Sequence, residues 1–215
     1  MRRALLLALA ACSGSPAAPL PIGQSSDGVI SFYDGDGRGA CGYDATSDDF
    51  AAINAQQWNQ SASCGSCIEV TGPKGVVVLR VVDLCPDCDG PGHLDLSRAT
   101  YAKLAELPDG RANVKWRTVT CPVKGNLRVQ VKDGSNAFWI ALQPRNMRRP
   151  VASLEAKKNG AWKALVRSDY NYFLDESGLG DGPIDLRLTA DDGAVVTAIL
   201  PAVKAGSEIE ADSQF

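Results

Sequence analysis

A chain of 215 residues, 45% hydrophobic and 22% charged, has the composition of one large or two small globular domains, which excludes a wholly disordered polymer. The formal net charge of -3 offers no global attraction to nucleic acid or acidic polymers, so charge does not indicate those partners. One histidine is present, His93, so no histidine cluster exists to bind a metal, and the residue reads as a structural hydrogen-bonding group.

The chain opens Met1-Arg2-Arg3 and continues with an apolar run, Ala4 to Ala11, far too short to cross a bilayer as a helix. Residues 1–11 read as an export signal, and Leu9-Ala10-Ala11-Cys12 has the form of a bacterial lipobox. Cys12 is then the expected lipid-bearing residue and the only membrane attachment, with plain signal cleavage as the alternative. Residues 12–26, rich in Ser, Pro, Ala and Gly, read as a tether.

Seven cysteines, six of them beyond Cys12, suit disulfides in an exported chain. Cys64-Gly65-Ser66-Cys67 and Cys85-Pro86-Asp87-Cys88 also fit a zinc ribbon, although that leaves Cys41 and Cys121 without purpose.

Residues 27–123 form the expected first domain. Ser31 to Tyr43 is dense in glycine and aspartate, as suits turns and close backbone approach to a ligand. Ser47-Asp48-Asp49 predicts the cap of a short helix running to Trp58. Gly72-Pro73-Lys74-Gly75 is a turn between two β-branched runs, and Val76 to Val82 reads as a central strand buried on both faces for most of its length, ending at Asp83. Ser97 predicts the cap of a helix to Leu107 with Tyr101, Leu104 and Ala105 inward, and Asn113 to Thr120 a further strand. Asp83 and Asp95 are thus two carboxylates at the rim of one structural unit.

At Pro122 to Gly125 the pattern changes. Residues 124–205 carry short alternating runs separated by Asp133-Gly134, Asn159-Gly160 and Asp192-Gly193, which suggest an all-β sandwich. The runs are Leu127 to Val131, Ala137 to Gln143, Val151 to Ala156, Trp162 to Val166, Ile184 to Thr189 and Val195 to Leu200. Trp162 reads as core, and 206–215 as a frayed acidic tail. Arg145, Arg148, Arg149, Lys157, Lys158, Lys163 and Arg167 make a basic run whose default reading is a solvated face, the alternative being a patch for acidic wall polymers such as pectin.

The chain carries together Ser31-Phe32-Tyr33, Gly39-Ala40-Cys41-Gly42, Cys64-Gly65-Ser66-Cys67, Val82-Asp83 and His93-Leu94-Asp95-Leu96-Ser97, then Asn136 to Gln143 and Asp169-Tyr170-Asn171. On these residues the sequence, from Gly28 to Leu200, resembles the expansins, particularly the bacterial expansin-like proteins. The resemblance implies a mainly β protein, a six-stranded double-psi β-barrel followed by an immunoglobulin-like β-sandwich. It implies disulfides Cys41–Cys64 and Cys67–Cys121, leaving Cys85 with Cys88, a pair outside the familiar plant arrangement.

The same resemblance implies roles. Asp95 is the proton donor or hydrogen-bond partner to a glucan, Asp83 the second groove aspartate, and Ser31, Tyr33 and Asp36 contacts to sugar or to Asp95. Phe138, Trp139 and Tyr170 match the family's flat cellulose platform, Phe138 standing where tryptophan is commoner, so weaker stacking is implied. Strand alternation alone would bury either Phe138 or Trp139.

The function so implied is non-hydrolytic loosening of plant-type cell wall by an exported, extracellular or cell-surface monomer that binds cellulose and matrix glucans, without cofactor or metal. An inverting endo-β-1,4-glucanase needs a base as well as Asp95. Asp34, directly after Tyr33, is one place short of the base position in related hydrolases. A pure carbohydrate-binding protein and a peptidoglycan lytic transglycosylase are the other rivals.

Overall fold

The computed structural model describes residues 18–215; the expected export signal, Cys12 and the first part of the tether lie outside the described residues. Residues 18–24 are not a free tether. Leu20 is buried in the first core, and Gly23 N–H donates to the Thr118 carbonyl at 2.9 Å.

The first domain contains β1 (Ser25–Tyr33), β2 (Phe50–Asn54), α1 (Ala55–Trp58), β3 (Cys67–Gly72), β4 (Gly75–Cys85), β5 (Leu94–Ser97), α2 (Arg98–Leu104) and β6 (Ala112–Val119). The strands close into a barrel in the order β1-β5-β2-β4-β3-β6, with β6 returning to β1. Two pairs are parallel, β1 with β5 and β2 with β4, and the rest antiparallel, the interleaving of a double-psi barrel. Ile30, Ile53, Ile68, Leu79, Leu94, Leu96 and Trp116 fill the interior.

Three expectations need correction here. Phe50–Asn54 is a strand and not a helix: all five residues are buried, and β2 has hydrogen-bonded neighbours on both sides, which outweighs the capping signal at Ser47-Asp48-Asp49. The helix that follows is one turn long and is capped by Asn54, whose Oδ1 accepts from Gln57 N–H at 3.0 Å. β4 is not buried on both faces. Its first half pairs with β3 in a hairpin that leaves Val76 and Val78 exposed. Finally, α2 stops at Leu104, with Ser97 capping it through Thr100 N–H, and Tyr101, Leu104 and Ala105 buried.

The second domain contains β7 (Arg128–Val131), β8 (Ile140–Arg145), β9 (Val151–Lys158), β10 (Ala161–Ala164), β11 (Val166–Arg167), β12 (Phe173–Asp175), β13 (Ile184–Ala190), β14 (Val195–Leu200) and β15 (Glu208–Glu210). They form sheets β10-β9-β13-β14 and β11-β12-β8-β7-β15, packed over Leu127, Ile140, Leu142, Leu154, Phe173, Leu186 and Leu188 as an immunoglobulin-like sandwich. β12 is too short to be read from alternation. The expected frayed tail is ordered instead: β15 pairs with β7, and Leu127 N–H donates to the Ser213 carbonyl at 3.1 Å. Trp162 is not core. It lies 36% exposed on β10, with the Arg187 guanidinium 4.5 Å and the Lys157 ammonium 5.9 Å from its ring centre.

The domains meet through buried polar contacts. The Cys41 carbonyl accepts from Gln143 Nε2 at 2.8 Å and Asn171 Nδ2 at 3.1 Å, and Ser61 Oγ donates to the Ser168 carbonyl at 2.7 Å. Arg145 reaches Asp44 at 2.5 Å across the same junction. Buried amides with good partners cost little, whereas a domain sliding past its neighbour would strand them, so the contacts hold one relative orientation.

Disulfides join Cys41 to Cys64, Cys67 to Cys121 and Cys85 to Cys88, with sequence separations of 23, 54 and 3. In the chain-entropy description, stabilisation grows with the loop closed, to about 4 kcal/mol for Cys67–Cys121 against under about 2 kcal/mol for Cys85–Cys88. Denaturant melts should therefore show the Cys67→Ser, Cys121→Ser double variant far less stable than Cys85→Ser, Cys88→Ser; equal losses would contradict this ordering.

Candidate functional site

Strand register builds the site. Ser31 on β1 pairs with Asp95 on β5, Asp95 with Ala52 on β2, and Ala52 with Asp83 on β4. Register partners share a face, and the adjacent Ile30, Leu94 and Ile53 are fully buried in the core, so this row faces outward. With one strand between them, the Asp95 and Asp83 Cα atoms are roughly 10 Å apart. Ala52 lies between the two acids in register and contributes only a methyl group, which is itself buried.

A β-bulge makes the row possible. Ala51 pairs with Val81 but Ala52 pairs with Asp83, so Val82 is skipped. Without that extra residue Asp83 would fall opposite Ile53 and turn away from Asp95. Once turned outward, Asp83 Oδ1 accepts backbone N–H bonds from Ala40 at 2.6 Å and Leu84 at 2.8 Å. Gly39 packs so closely here that a Cβ would stand 2.3 Å from the Asp83 carboxyl carbon. Glycine at that position lets the loop cross over the carboxylate.

Asp95 Oδ1 accepts from Ser31 Oγ at 2.6 Å, and Ser31 Oγ also lies 2.9 Å from His93 Nε2. Tyr33, two residues beyond Ser31 on the same face, has a buried hydroxyl with no hydrogen-bond partner among the described residues. Burial first, then the charges of Asp83, Asp95 and Asp36, push its phenol well above the ordinary range. Tyr33 therefore stands within the field of all three acids. Asp36 itself is exposed and bound to Arg38, whose backbone N–H and guanidinium keep its carboxyl below the usual range.

Asp34 is held apart from the row. Arg98 grips it bidentately at 2.8 and 2.9 Å, and those hydrogen bonds followed by the guanidinium charge depress its carboxyl. Arg98 is fixed in turn over the Phe32 ring, 4.6 Å from its centre. The sequence reading missed Arg98 as a determinant of Asp34, and missed Ala52 because its strand was read as a helix. A shallow concavity lined by Tyr33, Asp34, Ser97 and Arg98 adjoins the row. A larger cleft of about 630 Å³, lined by Asp44, Asp48, Arg80, Arg145 and Asn146, includes neither Asp83 nor Asp95 and belongs to the domain junction.

On the sandwich, Phe138 and Trp139 precede β8 in a tight turn. Asn136 N–H donates to the Trp139 carbonyl at 2.7 Å, Trp139 N–H donates back at 3.3 Å, and Phe138 N–H bonds Asn136 Oδ1 at 2.9 Å. The turn removes the strand alternation that would otherwise bury one ring. Phe138 is 82% exposed and Trp139 half-buried. Tyr170, 42% exposed, lies in the β11–β12 loop, where Asn171 adopts a left-handed conformation and its carbonyl meets Gln143 Nε2 at 3.4 Å. Phe138 and Trp139 thus stand at the entry to β8, and Asn171, next to Tyr170, meets that strand at Gln143.

Four residues of the basic run are paired with acids. Arg145 pairs with Asp44, Arg149 with Asp191 and Asp192, Lys157 with Asp185, and Lys163 with Asp175. Arg167 is stacked over Phe173, and burial lowers its guanidinium to about 10.

A closed double-psi barrel with an outward carboxylate row, joined to a sandwich with exposed aromatics, defines a two-domain barrel–sandwich protein. No family model matches the chain. It is 38% identical over 157 residues to Expansin-YoaJ of Bacillus subtilis, covering 71% of this chain and 67% of that protein. The crystal structure of the apo expansin of Clavibacter michiganensis superposes with a TM-score of 0.83 at 29% identity, covering 89% of this chain and 98% of that one. A point mutant of that protein, solved in complex with cellohexaose, matches equally. The papain inhibitor of Streptomyces mobaraensis is 40% identical over 116 residues, 50% of this chain and 80% of the inhibitor. The chain belongs to the expansin family.

The raised Tyr33 phenol has a pH signature. Between the unfolded phenol value near 10 and the higher folded one, the native state holds more protons than the unfolded state, so stability is full below about pH 10 and falls as pH rises. Tyr33→Phe should lessen that alkaline loss in denaturant melts, and an unchanged slope would contradict the placement of the phenol among the acids.

Proposed function

We propose that this expansin is an extracellular, non-hydrolytic wall-loosening protein that binds cellulose and related glucans. In this reading Trp139, Tyr170 and Phe138 anchor the protein on the flat faces of sugar rings, while Asp95, Asp83, Ser31 and Tyr33 exchange hydrogen bonds with the glucan. The observation that carries it is the state of Asp34. Inverting hydrolysis needs a free carboxylate base opposite the acid, and the acid nearest that position in the sequence is engaged by Arg98 and made less basic by it. Asp83 supports the same reading, since one of its oxygens is already committed to two backbone N–H groups. Cellohexaose in the Clavibacter complex supports glucan as the ligand class.

The 40% identity over 116 residues to a papain inhibitor favours a second reading, inhibition of a papain-type protease. Papain that stays fully active in an excess of this protein removes it.

For the first reading, Trp139→Ala should weaken cellulose pull-down about tenfold, the size of one lost stacking contact. Asp95→Asn should abolish wall creep while leaving pull-down intact. Reducing ends released from soluble β-glucan, and lost in Asp95→Asn, would instead establish the endoglucanase. Binding without creep would leave a pure carbohydrate-binding protein, and muropeptide release would point to the transglycosylase.

A further inference from the structure

His93, 7% exposed on the turn entering β5, has a partner at each ring nitrogen. Its Nδ1 lies 3.1 Å from the backbone N–H of Asp89, and an N–H can only donate. Nδ1 therefore carries a lone pair, and the ring proton is on Nε2. Nε2–H donates to Ser31 Oγ at 2.9 Å. With the Ser31 oxygen accepting from Nε2–H, its single hydroxyl hydrogen is directed to Asp95 Oδ1 at 2.6 Å. Every hydrogen in this chain has one assignment, while Asp95 Oδ2 has no hydrogen-bond partner among the described residues.

The ring is held from behind. Asn54 Nδ2 donates to the His93 carbonyl at 3.2 Å, and His93 N–H donates to the Gly90 carbonyl at 3.2 Å. The turn can lie this close because Gly28 and Gly92 pack backbone to backbone: a Cβ on Gly28 would stand 2.0 Å from the Gly92 carbonyl oxygen.

We propose that His93 is a positioning residue of the groove: acting through Ser31, it holds the hydroxyl hydrogen on Asp95 Oδ1, so that Oδ2 is the oxygen left for the glucan. Its functional consequence rests on the wall-loosening reading; the orientation itself does not. The charged groups facing the ring are Asp89, with Oδ2 at 3.8 Å, Asp95, and Arg111, which pairs with Asp89. Burial first and Arg111 second lower the imidazole below its ordinary value, against Asp89 and Asp95, so the neutral ring is the form present at neutral pH. Protonation would set Nδ1–H against the Asp89 N–H and transfer that contact to the Asp89 carboxylate. The orientation is thus fully in force above the lowered titration point and loosened below it.

Because His93 is the only histidine, nitrogen NMR of the imidazole in the intact protein needs no assignment. The expected result is the Nε2–H tautomer at neutral pH, with its proton resonance moved by Ser31→Ala. In wall creep, His93→Gln, whose amide N–H can replace the Nε2 donor without titrating, should retain activity with a flattened pH profile. His93→Leu should lose about tenfold, the factor for one charge-assisted hydrogen bond, and the Ser31→Ala, His93→Leu double variant should lose no more than either single change. An Nδ1–H tautomer, full creep in His93→Leu, or additive losses would each overturn the proposal. If His93→Leu fails to fold, the tautomer and His93→Gln still decide it. If the unaltered protein neither creeps walls nor binds glucan, the functional reading fails, and the imidazole measurement still decides the orientation.

Discussion

The carboxylate row depends on the position of β2 between β4 and β5, together with the single residue skipped at Val82. Side chains alternate along a strand, so an error of one residue would bury a carboxylate among Ile30, Ile53 and Leu94 or turn it to the far side of the sheet. The core therefore enforces the row indirectly. The large apolar residues on the inner face can pack in one register only, and the outer face follows. The bulge then turns Asp83 outward beside Ala52, opposite Asp95.

A second dependence links that row to the sandwich. Asp83 binds Ala40 N–H, and the carbonyl of the next residue, Cys41, receives Gln143 and Asn171 from the second domain. Asn171 follows Tyr170 directly. A short path of backbone and buried amides thus runs from a groove carboxylate to an exposed aromatic, and Cys41–Cys64 fastens its midpoint to the barrel. In the proposed function this matters because an anchor can direct a groove onto a polymer only if the two cannot drift independently.

The acids of the barrel face differ more in their partners than in their exposure. Asp34 is engaged by a guanidinium, Asp36 by its neighbour Arg38, and Asp83 by two backbone amides, whereas Asp95 receives a single hydroxyl. That leaves Asp83 and Asp95 each with one oxygen uncommitted among the described residues, and Asp95 alone of the two with its bound oxygen held by a side-chain network. Ser31, which bonds Asp95, and His93 behind it form directional hydrogen bonds because a buried neutral imidazole with a backbone donor at Nδ1 can carry its proton only on Nε2.

Features that depend on residue type at close range were legible in the chain. The Ser97 cap, the turns at Asp133-Gly134 and Asn159-Gly160, and the inward face of Tyr101 and Leu104 are local in this sense. Features set by residues distant in the chain were not. Phe50–Asn54 has a helix-like preface but becomes a strand because two partners claim its hydrogen bonds, and Glu208–Glu210 is ordered because β7 offers an edge. Trp162 is at the surface because cations cover it there, and Asp34 is unavailable as a base because Arg98 arrives from another element. Pairing energies of this kind arise between segments that no local pattern records, which is why the two carboxylates of the row could be named from the chain and the partners each one takes could not.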